Sequence, residues 1–171
     1  HPRKPMLTKE QLLESMLAEI RIVKHLATKL QPGKLNWRPT PGQRSMLELM
    51  QYLTTCGIVP ALAAINGSWD DSDALEKAAE SVTPENFAIA MDRQAKQLGE
   101  AVNEVSHYRL NHGDTQTPWG APIKVGHALV EMALKPLVAY RMQFFLYLKE
   151  SGRTDLGPAQ CWIGVDPKPK A

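Results

Sequence analysis

The segment that most restricts the fold is Leu35-Asn36-Trp37-Arg38-Pro39-Thr40-Pro41-Gly42-Gln43-Arg44-Ser45, followed at once by the apolar run Met46-Leu47-Glu48-Leu49-Met50-Gln51-Tyr52-Leu53. Pro39, Pro41 and Gly42 forbid a regular element before Ser45, because proline fixes one backbone angle and removes a donor. Ser45 has Glu48 three residues on, the capping-box spacing in which hydroxyl and carboxylate each bind the other residue's backbone amide. A stiff loop is therefore expected to deliver the chain straight into a buried helix.

The same signals divide the remaining chain. Thr8 and Gln11 repeat the capping-box spacing and open a first helix, predicted to end at Gln31-Pro32-Gly33 with Leu13, Leu17, Ile20, Val23, Ala27 and Leu30 facing inward. A second helix runs from Ser45 through Leu49, Tyr52, Leu53 and Cys56, with a kink expected at Pro60, and ends at Asn66-Gly67. Ser68-Trp69-Asp70-Asp71-Ser72-Asp73 reads as an exposed acidic connection, since it lacks the glycine and terminal glutamate of a calcium loop; a short helical turn follows over 74–79. Thr83-Pro84-Glu85 starts a third helix with Phe87, Met91, Gln94, Leu98, Val102 and Val105 on one face, and Gly99 there would admit a close neighbour. After a turn-rich link over 109–114, a fourth helix is predicted from Pro122 to Glu150, stopped by Ser151-Gly152, with Leu129, Met132, Ala133, Pro136, Tyr140, Gln143 and Tyr147 inward. No segment alternates as a strand would. The expectation is an all-α four-helix bundle over about 8–150, with a tail over 151–171 that lays Trp162 across it, in one domain of 171 residues.

Composition excludes several functions. A net charge of +2 gives no electrostatic case for nucleic acid, and the basic residues Arg3, Lys4, Lys168 and Lys170 read as solvated ends among prolines. No apolar run is read as long enough to span a bilayer, and the first residues carry no secretory apolar core, so a cytoplasmic protein without a membrane partner is expected. Cys56 and Cys161 make neither a metal spacing nor a redox pair and are expected as free thiols. His25 has no histidine or carboxylate at helical ligand spacing, and His107 and His112 lie five apart.

Two further motifs, Thr117-Pro118-Trp119-Gly120 and Tyr140-Arg141-Met142-Gln143, complete a pattern with the 35–45 loop. In order and spacing these resemble the DinB/YfiT-like superfamily of four-helix bundles, with Trp37, Pro39, Pro41, Gly42, Ser45, Trp119, Gly120 and Arg141 as motif residues of structural importance. The resemblance implies a homodimer and a divalent metal, such as nickel or zinc, on three histidines that serves thiol transfer or hydrolysis. At the implied ligand positions this chain has Tyr52, Pro136 and Tyr140. A phenol keeps its proton to about pH 10 and proline has no side-chain donor, so the three-histidine site is expected to be absent, with no cofactor and no catalytic residue.

Tyr52, Cys56, Pro136, Tyr140 and Gln143 become candidates for a pocket, with the Gln143 amide reaching a tyrosine hydroxyl. Cys56 would be a nucleophile only with a depressed pKa, and no cation is placed by spacing to supply one. The leading expectation is a metal-free protein that binds a small molecule or a partner. The alternative is a metal-dependent thiol transferase or hydrolase with ligands rearranged around His107, His112 or His127.

Overall fold

The computed structural model describes residues 6–170, so the reading of Arg3 and Lys4 lies outside the described residues. Helix α1 spans Lys9–Ala27 behind a complete Thr8/Gln11 capping box. It stops about a turn before the predicted Pro32, because the Lys29 and Leu30 amides tighten onto the Leu26 and Ala27 carbonyls. Its inward face is Leu12, Met16, Ile20, Val23 and Leu26, with Ile22 also buried, while Leu13 and Leu17 are only half-buried. Ile20 and Val23 are buried as predicted, while Leu12, Met16 and Leu26 take the places expected of Leu13, Leu17 and Ala27, since α1 is apolar on a broad face.

The 35–45 loop delivers the chain directly into a helix, as expected. The Met46 and Leu47 amides donate to the Trp37 and Leu35 carbonyls at 2.8 and 3.0 Å, and Ser45 and Glu48 form both capping-box bonds. Every first-turn donor of α2 (Met46–Leu53) is thereby satisfied. The chain then breaks at 54–57 and resumes as α3 (Ile58–Asn66). Pro60 was expected to cause the kink, yet it lies in the first turn of α3, where its missing N–H removes no helical bond. The break is held instead by the buried carboxamide of Gln94. Its Oε1 accepts from the Gly57 and Ile58 amides at 3.0 and 3.2 Å, and its Nε2 donates to the Leu53 carbonyl at 2.9 Å. At Gly57 a Cβ would meet Leu137 Cδ1 at 2.9 Å, so a larger residue there would displace the buried Leu137 side chain.

By length and composition the 21 residues Met46–Asn66 would qualify as a membrane span, contrary to the sequence reading, but 67% of the qualifying window is buried inside the protein. Its apolar side chains fill the core.

Helix α4 (Ser72–Ala79) follows the acidic connection, and α5 (Phe87–Glu104) begins two to three residues beyond the predicted Thr83-Pro84-Glu85 start. Phe87, Met91, Gln94, Leu98, Val102 and Val105 are all buried. Gly99 admits no close neighbour: a Cβ there meets nothing within 4 Å. A short helix α6 (His107–His112) overlaps the predicted 109–114 link and leads into a hairpin of β1 (Asp114–Gln116) and β2 (Pro122–Lys124), which sequence reading missed because three-residue strands are too short to show alternation.

The last long helix starts at α7 (Val125–Leu129) rather than Pro122, widens into a π-helical turn over Val130–Leu134, and continues as α8 (Lys135–Glu150). In that turn the Lys135 amide reaches back five residues to the Val130 carbonyl. Pro136 explains the widening, since its ring would clash with the carbonyl four residues earlier in a regular helix. Helix α1 packs on α5 and α8; α2 also packs on α5 and α8, while α3 packs on α5, α7 and the π-helical turn. All four long segments share one apolar core, which also takes in Leu156 and Cys161 of the tail.

The tail turns back in a π-helical turn over Ala159–Ile163 and packs on α1 and α8. Trp162 was expected to anchor it, but that ring is 60% exposed and Cys161 is the buried residue. The anchor is Arg141, only 2% exposed. Its Nε binds the Glu19 carboxylate at 2.5 Å, its Nη1 donates to the Cys161 carbonyl at 2.9 Å, and its guanidinium lies 4.7 Å from the Trp162 ring centroid. Both cysteines are free thiols.

Candidate functional site

Two irregular backbone segments face each other across the bundle: the break after α2 and the π-helical turn before α8. Between them lies a cavity of about 270 Å³. Tyr52, Thr55, Cys56, Val59 and Pro60 line it from the end of α2, the break and α3, and Glu131, Met132 and Pro136 from the π turn and the start of α8. Trp69, Glu76, Pro118 and Trp119 complete the wall from the acidic connection, α4 and the hairpin tip. The tip is set by Gly120, whose φ of +85° only glycine adopts readily, and by the Thr117 hydroxyl accepting from the Ala121 amide at 2.9 Å. Trp119 and Trp69 are left 77% and 44% exposed at these loops.

Tyr52 and Tyr140 meet edge-to-face with centroids 4.7 Å apart, and the Arg44 guanidinium lies 3.9 Å from the Tyr52 centroid and 5.7 Å from that of Tyr140. Burial raises the Tyr52 phenol above its ordinary pKa, reinforced by Tyr140 and Cys56. Burial also pushes the Cys56 thiol up to about 12, and its Sγ lies 3.7 Å from the Leu53 carbonyl. At neutral pH both groups are therefore protonated and uncharged. A thiol held that way is no nucleophile.

Of the five residues singled out from sequence, Tyr52, Cys56 and Pro136 line this cavity. Tyr140 stacks on Tyr52 but is not one of the cavity's wall residues, and Gln143 is engaged elsewhere. The Gln143 amide donates to the Tyr147 hydroxyl at 3.3 Å, and that hydroxyl donates to the Arg44 carbonyl at 2.9 Å. Tyr147 also receives Trp37 edge-on at 5.2 Å, so the expected amide–tyrosine bond exists but serves to dock the 35–45 loop. Sequence reading missed Trp69, Glu76, Glu131 and Met132 as wall residues and saw Trp119 only as a motif residue. An exposed tryptophan in an otherwise acidic connection was the one signal that could have found Trp69.

No family model matches the chain, and no curated protein matches it. Solved structures do. A DinB-like protein, YjoA, from Bacillus subtilis superposes with a TM-score of 0.69 at 16% identity, over 86% of this chain and 96% of that one. A putative member of the DinB family from Exiguobacterium sibiricum gives 0.68 at 23% identity, over 90% and 99%. The chain has the DinB-like fold.

For a DinB-like bundle the sequence resemblance implies a divalent metal at positions 52, 136 and 140. The donor set here does not suit one. Tyr52 is a phenol whose proton is held more tightly than usual, Pro136 offers no donor atom, and the Arg44 cation already lies against the Tyr52 ring. Divalent ions prefer anionic oxygen, imidazole or thiolate ligands, and none is presented at these three positions.

Proposed function

We propose that this protein is a DinB-like binding protein that takes a small organic molecule in the Tyr52/Trp119 cavity without a metal and without a chemical step of its own. The observation that carries this reading is the inner wall of the cavity, where uncharged phenol and thiol groups stand at the positions the resemblance assigns to metal ligands or beside them. The cavity is mostly apolar with a few convergent polar groups, which is the usual make-up of a small-molecule site, and at about 270 Å³ it suits a ligand smaller than a typical drug.

The rival reading, a metal enzyme with rearranged ligands, finds weaker support. His107 and His127 do line one other cavity, but Lys9 and Lys124 share its walls and oppose a divalent cation. Among the described residues no three His, Cys, Asp or Glu side chains are grouped as a metal would need. The test is elemental analysis of tag-free protein incubated with nickel, zinc and manganese and then desalted. The expected metal content is far below one ion per chain; retention near one per chain would overturn the reading.

A further inference from the structure

The cavity differs at its two ends. The inner end is neutral, whereas the outer end combines the exposed rings of Trp69 and Trp119 with the carboxylates of Glu76 and Glu131. No lysine, arginine or histidine is among the wall residues. Glu131 is partly balanced from outside by Lys135 at 2.6 Å, and the His127 ring lies 3.5 Å from its other oxygen. Glu76 makes no ion pair among the described residues, and neither tryptophan stacks on a ring or a protein cation there. Arg44, the nearest cation to Tyr52, extends into an adjoining cleft that it shares with Glu48, Glu76 and Glu80, so carboxylates outnumber it there as well.

Free aromatic faces beside an unpaired carboxylate attract a positive charge, and they do so best when the cation is weakly hydrated and carries apolar substituents. A bare metal ion would gain nothing from the apolar wall of Val59, Pro60, Met132 and Pro136. We infer that the ligand is an organic cation, a small amine or quaternary ammonium compound whose apolar body fills the cavity and whose charged head lies at the mouth against Trp69, Trp119 and Glu76. This rests on the pocket reading above and specifies its ligand class.

Three probes of similar size separate the two ideas: benzyltrimethylammonium, benzyl alcohol and phenylacetate, titrated calorimetrically into the intact protein at low salt with EDTA present. The cation is expected to bind about tenfold or more tighter than the alcohol, with phenylacetate weakest. Glu76→Gln, at an exposed position without an ion pair among the described residues, is expected to weaken the cation about three- to tenfold and leave the alcohol unchanged. Equal or tighter binding of the alcohol or the anion, or a cation preference that survives Glu76→Gln undiminished, overturns the inference while the pocket reading stands. Absence of binding by all three probes at millimolar concentration overturns both.

Discussion

Tyr140 and Arg141 are sequence neighbours on α8, yet they serve opposite kinds of region. Arg141 points into the end of the bundle closed by the tail, where Glu19 and the Cys161 carbonyl take its donors and Trp162 covers its face. Tyr140 backs onto Tyr52 and the cavity, whose mouth displays two exposed tryptophans and an unpaired carboxylate. Where buried polar groups are satisfied by the chain itself, they fix the structure and have little left to offer a ligand. Where rings and charges lack partners, binding capacity remains. The same asymmetry separates the tryptophans: Trp37 packs on Tyr147 and locks a loop, whereas among the described residues Trp69 and Trp119 stack on no other ring.

Removing the buried polar anchors should lower stability, whereas removing the exposed rings at the cavity mouth should not. Arg141→Met is expected to cost the most, about 3–5 kcal/mol in denaturant unfolding, because it strands the largely buried Glu19 carboxylate. Adding Glu19→Leu should recover part of that loss, since the stranded charge is gone.

Gln94→Leu comes next, at about 3 kcal/mol, as the Gly57 and Ile58 amides and the Leu53 carbonyl lose their buried partner. Thermal unfolding measures it, and a loss below about 1 kcal/mol would mean that the break after α2 is held by something else. Tyr147→Phe should cost about 1 kcal/mol and speed amide exchange across 35–45, because the Arg44 carbonyl loses its donor. Trp119→Ala should change stability by less than about 0.5 kcal/mol, the ordinary range for an exposed site. A larger loss there would erase the distinction between the two regions.

What could be read from sequence was what depends on near neighbours. Both capping boxes, the face of α5 from Phe87 to Val105, and the shared face of Tyr52 and Cys56 follow from spacings of three and four residues. The break at 54–57 could not be read, because the side chain that holds it, Gln94, lies 37 residues from Gly57. Pro136 was legible as a residue but not as the cause of a π-helical turn, since a proline inside a helical pattern can end, kink or widen the helix and spacing alone does not choose among these. The mouth of the cavity comes from the acidic connection, α4 and the hairpin tip, at Trp69, Glu76 and Trp119, whose meeting is purely tertiary. In the tail the distinction between Cys161 and Trp162 is a shift of one residue within a single turn, too short for periodicity to decide.

The four tryptophans offer the most direct test, because Trp69 and Trp119 belong to the cavity while Trp37 and Trp162 belong to the docked loop and the tail. The indole N–H signals of ¹⁵N-labelled, EDTA-treated protein would be followed by NMR during titration with benzyltrimethylammonium and benzyl alcohol. The account predicts that the Trp69 and Trp119 signals move together and saturably while those of Trp37 and Trp162 stay still. Movement confined to Trp37 or Trp162, or a response that requires added nickel or zinc, would contradict it.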